Sequence, residues 1–146
     1  MKHVFIINPY AGPENNYNKI KSTLVDLEGK YDIEIHQTAY PKEATEFVKN
    51  YALSHPNEEL RFYACGGDGT LNEVVSGAVG FENVSVGIHP CGSGNDFVKS
   101  IGGQSKYTNI EEIMNLPSKK IDIIKVGDNS YSINVGNYGF EAKVAK

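Results

Sequence analysis

The sequence predicts an α/β fold, a parallel sheet with helices on its faces, and three observations carry that prediction. Strand-like apolar runs and helix-periodic stretches alternate through the first 120 or so of the 146 residues. A glycine turn, Gly66-Gly67-Asp68-Gly69, joins an apolar strand directly to a helical run. The loops after the first, third and fourth expected strands are all unusual in composition, and in a parallel sheet with right-handed crossovers all three open on one edge, where such folds form a ligand crevice.

The first strand is expected from His3 to Asn8, around Val4-Phe5-Ile6-Ile7, and runs into the loop Asn8-Pro9-Tyr10-Ala11-Gly12-Pro13. Tyr17, Ile20, Leu24 and Leu27 then lie three, four and three residues apart, one apolar helical stripe that stops at Gly29. From Tyr31 to Gln37, Ile33 and Ile35 alternate with polar neighbours, the pattern of an outer, half-exposed strand. Beyond Thr38 and Pro41 a second helix buries Ala44, Phe47, Val48, Tyr51 and Ala52, and His55-Pro56 ends it. Leu60, Phe62, Tyr63, Ala64 and Cys65 read as a short buried strand. After the glycine turn, Leu71, Val74, Val75 and Ala78 fall at helical spacing, with Thr70 as the expected cap. Val84, Val86, Ile88 and His89 form a fourth strand, and Phe97, Val98 and Ile101 a short helix ending at Gly102-Gly103. A small helix over 110–116, a strand over 121–126 and another over 131–135 complete the reading.

Bulk properties narrow the function. A chain of this length buries a proper core as one domain. The net charge of -4 supplies no basic footprint, which argues against nucleic acid as a partner. No apolar run approaches the length that spans a bilayer, and the N-terminus enters a strand without a signal-peptide pattern, so a cytoplasmic location is expected. The two cysteines, Cys65 and Cys91, are expected as reduced thiols, and the four histidines lack metal-ligand spacing.

The three loops carry the chemistry. Glycine permits positive φ or a close approach to a ligand, and the free amides at the start of the helix after Gly69 favour anions, phosphate above all. Asp68 is the odd member. A carboxylate there repels phosphate unless magnesium lies between them or neighbouring donors occupy it. Asn8 offers a side-chain amide, and Gly12 allows backbone approach. Ser93 sits between two glycines, and Asp96 adds a carboxylate to the rim, serving equally as a helix N-terminal acid. The chain has no Gly-x-x-x-x-Gly-Lys-Ser/Thr. Gly92-Ser93-Gly94 lacks the third glycine of the dinucleotide fingerprint, so NAD as a redox cofactor loses ground.

Asn8-Pro9-x-x-Gly12, Gly66-Gly67-Asp68-Gly69-Thr70-Leu71-Asn72-Glu73 and Pro90-x-Gly92-Ser93-Gly94-Asn95-Asp96-Phe97 resemble, in order and spacing, the three motifs of the diacylglycerol kinase catalytic domain, the family of bacterial diacylglycerol kinases and sphingosine kinases. The resemblance implies a Rossmann-like, phosphofructokinase-like sheet, shared with NAD kinases. It implies ATP contacts from Asn8, Pro9, Tyr10, Ala11, Gly12, Thr38, Gly66, Gly67, Asp68, Gly69, Thr70, Leu71, Asn72 and Ser93, with Asp68 near magnesium. The reaction it implies is γ-phosphoryl transfer to a lipid hydroxyl such as that of diacylglycerol, governed by positioning and charge neutralisation. Ser93 replaces the usual Thr, Pro13 stands where relatives carry a basic residue, and Lys99 where an arginine is common.

Members of that family are about twice as long, with a second, β-rich domain carrying the general base and the lipid site. The resemblance therefore divides the chain into a nucleotide-binding domain over 1–126 and the start of a β-rich domain over 127–146, with 134–142 resembling its opening. From that length follow four expectations: a partial chain, weak or no ATP binding without lipid turnover, lipid and membrane-surface contact only through the second domain, and homo-oligomerisation through an unpaired edge beyond Gly127. A non-catalytic nucleotide-binding module of the same fold and an NAD kinase relative are the alternative readings.

Overall fold

The computed structural model describes residues 1–91, 95–128 and 130–133. Four strands, β1 (Lys2–Ile7), β2 (Asp32–Gln37), β3 (Leu60–Gly66) and β4 (Val84–Pro90), form a parallel sheet in the order β2-β1-β3-β4. The register runs Lys2 to Leu60 and Ile7 to Cys65 across β1 and β3, then Leu60 to Val84 and Gly66 to Pro90 across β3 and β4, so the strands end nearly level. Helices α1 (Asn16–Leu27), α2 (Glu43–Ser54) and α3 (Asp68–Ala78) are the crossovers. Two short helices, α4 (Asp96–Ser100) and α5 (Ile110–Met114), follow β4 with a 3-10 turn between them.

Strand alternation explains the layers. Successive side chains point to opposite faces of a strand, and in a sheet covered on both sides both sets must be apolar. Val4, Ile6, Phe62 and Ala64 pack with Ala44, Val48 and Ala52 of α2 and Leu71 and Val74 of α3. Phe5, Ile7, Tyr63 and Cys65 pack with Ile20 and Leu24 of α1 and Met114 of α5. Phe5 lies parallel to Tyr63 with ring centroids 4.2 Å apart, and both rings are fully buried. Truncating either ring to alanine would cost about 3–5 kcal/mol. β2 is half-exposed at the edge, as its alternation predicts.

Three local expectations change. Helix α3 starts at Asp68 rather than Thr70, with Gly67 in extended conformation as its N-cap and no side-chain cap. Thr70 therefore lies in the first turn, where its hydroxyl cannot reach the amides that a cap bonds. The strand expected over 121–126 is only Ile124–Val126, and it pairs antiparallel with β6 (Ser130–Ser132) in a separate hairpin. Ile121 and Ile124 are exposed, so no packed face holds residues 121–123 in a strand. Among the described residues no helix is long and apolar enough to cross a membrane.

Candidate functional site

The three loops meet, and backbone bonds lock them together. The Asn8 amide donates to the Cys65 carbonyl (3.0 Å), joining the first loop to the end of β3. The Cys91 amide donates to the Gly66 carbonyl (2.9 Å), joining the third loop to the second. Gly12 has φ +78°, and a Cβ on it would stand 2.6 Å from the Cys91 carbonyl oxygen. The freedom of Gly12 thus lets the first and third loops touch. Thr38, after β2, donates its amide to the Ile7 carbonyl (3.0 Å), which adds a fourth loop to the rim.

The glycine turn works differently from its composition. Gly66, Gly67 and Gly69 are absent from the positive-φ glycines, so conformational freedom is not what requires them. Gly66 is small because Thr70 packs over it: a Cβ there would collide with Thr70 Oγ1. A Cβ on Gly69 would meet nothing within 4 Å, so that position leaves open space beside the first turn of α3. The first-turn amides have no intrahelical acceptor and sit at the positive end of the helix dipole. An anionic phosphate suits that open turn.

Asp68 faces the next helix. Its carboxylate accepts from the amides of Asp96 (Oδ2, 2.8 Å) and Phe97 (Oδ1, 3.2 Å), the first turn of α4. Neighbouring donors therefore occupy the carboxylate, one of the two arrangements that the sequence left open. Asp96 meets Asp68 through its backbone, while its own carboxylate reaches Lys99 at 3.4 Å, an exposed pair worth little. Among the described residues no group of three or more His, Cys, Asp or Glu side chains could hold a metal.

Beside α3 lies a cleft of about 290 Å³, lined by Asn8, Tyr10, Thr38, Gly69, Thr70 and Glu73 together with Ala39–Pro41. The sequence missed its second wall, Ala39–Pro41, and Glu73, although Glu73 stands in the quoted motif. Two carboxylates build that wall. Glu43 accepts from the Ala39 amide and from His36 Nε2 (3.0 Å). Glu73 accepts from the amide of Lys42 (2.7 Å), whose φ of 70° makes the turn into α2. The Ala39 hydrogen bond, with help from His36, holds the Glu43 carboxyl below the usual range.

The other expected contacts are distributed unevenly. Asn8 Oδ1 accepts from the Tyr10 amide (3.0 Å), a turn that presents Tyr10 to solvent, 88% exposed. Leu71 belongs to the core and donates its amide to Gly67 (3.1 Å). Asn72 Oδ1 accepts from the Ile133 amide (3.2 Å), so this side chain ties α3 to the hairpin. Pro9 and Ala11 lie in the first loop, where the Ala11 amide donates to the Asn8 carbonyl (3.2 Å). Ser93, and the segment over 134–142 that resembles a second domain, lie outside the described residues. Cys65 and Cys91 are free thiols, and burial pushes both pKa values up. A further depression of about 330 Å³, between α1 and α5, contains His89 and Lys19 but none of the motif residues.

Comparisons with known proteins agree with this architecture. The sequence model of the diacylglycerol kinase catalytic domain matches residues 2–126. The diacylglycerol kinase of Bacillus subtilis is 33% identical over 144 residues, 95% of this chain and 46% of that protein. The diacylglycerol kinase of Staphylococcus aureus strain MRSA252 is 32% identical over 137 residues, 92% of this chain and 42% of that protein. A crystal structure of a diacylglycerol kinase from Bacillus anthracis superposes with a TM-score of 0.58 at 28% identity, over 77% of this chain and 37% of that one. This chain thus spans less than half the length of the curated relatives that it matches over most of its own.

Proposed function

The chain belongs to the diacylglycerol kinase catalytic domain family, and from that premise we propose that it is the ATP-binding half of a lipid kinase. The reaction is transfer of the γ-phosphoryl group of ATP to a lipid hydroxyl such as that of diacylglycerol. The observation that carries this reading is the convergence of the loops after β1 and β2 on the open first turn of α3, with Cys91 after β4 bonded to Gly66 beside it.

Each residue has a physical task in that reading. The first-turn amides of α3 bind phosphate oxygens, and Gly69 keeps a side chain out of their way. Asp68 fixes α4 against α3, so that the third loop stays in register with the second. Glu43 and Glu73 hold the β2–α2 loop as the opposite wall. Such fixed donors stabilise transferring charge without reorganising at the moment of reaction. Asp68 is the carboxylate that would hold magnesium, which would neutralise charge on the nucleotide phosphates; its oxygens accept from two amides and keep lone pairs for that contact. In that reading residues 127–146 are the start of a β-rich second domain, and lipid contact and any approach to a membrane surface belong to that domain as a whole.

Calorimetric titration with ATP, with and without magnesium, tests the reading. Weak saturable binding that magnesium strengthens is expected, with roughly tenfold loss in Asp68→Ala, about 1.4 kcal/mol. Binding of NAD with none of ATP would overturn it in favour of an NAD kinase relative, and unchanged affinity in Asp68→Ala would remove Asp68 from the site.

A further inference from the structure

The depression of about 330 Å³ between α1 and α5, at the end of β4, shares no lining residue with the cleft beside α3. Most of its polar groups are acceptors. Half-buried His89 donates its Nδ1–H to the Tyr107 carbonyl (3.1 Å). Burial lowers the imidazole pKa, so Nε2 carries a lone pair, and it makes no hydrogen bond among the described residues. Thr23 Oγ1 donates to the Lys19 carbonyl (3.0 Å) and Thr108 Oγ1 to the Ser105 carbonyl (3.1 Å), which leaves each hydroxyl oxygen as an acceptor. Asn16 turns its amide nitrogen to the Ala11 carbonyl (3.4 Å) and keeps Oδ1.

Donors are fewer. Lys19 supplies the one ammonium of the lining, and Asn109, whose Oδ1 caps α5 by accepting from the Glu112 amide (3.1 Å), keeps its Nδ2 protons. Among the described residues no carboxylate lines the depression. That balance selects against charge. An anion meets a row of acceptor atoms and a single cation, and a cation meets Lys19 with no carboxylate to offset it. An uncharged polyol satisfies both sets, because each hydroxyl donates one proton and accepts through its oxygen. Ile20 and Ile110 add apolar contact for the C–H face of a ring, and the volume, at the small end of ligand pockets, suits a single ring.

We propose that this depression binds a small uncharged polyol, a sugar or cyclitol, with His89, Thr23, Thr108 and Asn16 as acceptors and Lys19 and Asn109 as donors. The occupant ties α1 to α5 across the end of β4, next to Pro90, where the third motif begins. The proposal is independent of the ATP reading, since none of these residues lines the cleft.

NMR titration of the labelled chain with myo-inositol and glucose, and with inorganic phosphate and ethanolamine as charged counterparts, tests it by a method that reads weak binding. Expected are saturable shifts at His89 Nε2 and at the Thr23 and Thr108 methyls with at least one of the two polyols, and none with phosphate or ethanolamine. Thr23→Val and Thr108→Val keep the shape of two exposed side chains and remove one acceptor each. Each should weaken the polyol roughly two- to tenfold, the worth of one hydrogen bond, with unchanged urea midpoints as the check on folding. Three results overturn the proposal: polyol shifts that rise without saturating, saturable binding of phosphate or ethanolamine at the same residues, and polyol affinity unchanged in both valine variants.

Discussion

Buried polar residues of the sheet set the pH response of this chain. His3 bonds Tyr63 Oη through Nδ1 (2.7 Å) inside the sheet, and half-buried His89 bonds the Tyr107 carbonyl through Nδ1 (3.1 Å). Burial lowers both imidazole pKa values, and the neighbouring Arg61 lowers that of His3 further. A base with a lowered folded pKa is neutral in the fold and takes up a proton more readily in the unfolded chain. Stability is therefore full above the unfolded value near 6.5 and falls as the pH drops below it. Glu43, with a lowered carboxyl pKa, stabilises above the usual carboxylate range and loses that contribution only at more acid pH. Urea midpoints should be flat from about pH 8 to 7 and fall between about pH 6.5 and 5. The NMR titration midpoints of His3 and His89 should lie below 6.5, and midpoints at or above that value would refute this assignment. Arg61 shows how a buried charge escapes a sequence reading: it bonds Ser85, the carbonyls of Met114 and Leu116, and Ser118, partners that lie 24 to 57 residues away.

At the scale of elements, helix α3 is held close on two sides and open on the third. A Cβ on Gly77 would lie 2.5 Å from the Thr45 carbonyl of α2, and Thr45 Oγ1 donates to the Glu73 carbonyl (2.9 Å). The turn below packs Thr70 on Gly66, whereas Gly69 faces open space. Alanine substitutions along this one helix and turn should therefore diverge. Gly66→Ala and Gly77→Ala force backbone or core shifts and should cost about 1–3 kcal/mol in denaturant melts. Gly69→Ala sits at a helical position without a clash and should gain up to about 1 kcal/mol. The same substitution should weaken ATP by roughly tenfold, about 1.4 kcal/mol, if the turn binds phosphate as proposed, because its methyl occupies the space over that turn. Loss of stability in Gly69→Ala would show that the turn is closed rather than open.

At the scale of the whole molecule, the hairpin of β5 (Ile124–Val126) and β6 docks on α3 rather than on the main sheet. The Ile133 amide bonds Asn72, and Ser76 Oγ reaches the Tyr131 carbonyl (3.4 Å). One helix thus carries the open turn at its N-terminus and the hairpin along its side, so movement of the hairpin is felt at the rim. Asn72→Ala removes one bond worth about 1 kcal/mol, roughly a fivefold change in a local opening equilibrium. Amide exchange at Ile133 should speed up about that much, with β1 and β3 unchanged. Equal acceleration across the sheet would mean that the hairpin is part of the main cooperative unit.

The sequence by itself determined the alternation of strand and helix, the parallel sheet, the outer position of β2 and the family, because all four follow from local periodicity and from short motifs read in order. It also placed the loops that converge, since strands that run parallel must open their carboxyl-end loops on one edge. Tertiary structure alone decided the tasks of individual residues. Gly12 yields to Cys91, Asp68 turns to the amides of α4, Asn72 turns to Ile133, and Tyr40 joins Tyr10 at one cleft. Each of these pairings joins residues 28 or more positions apart, and sequence spacing carries no record of which donor will find which acceptor once the layers have packed.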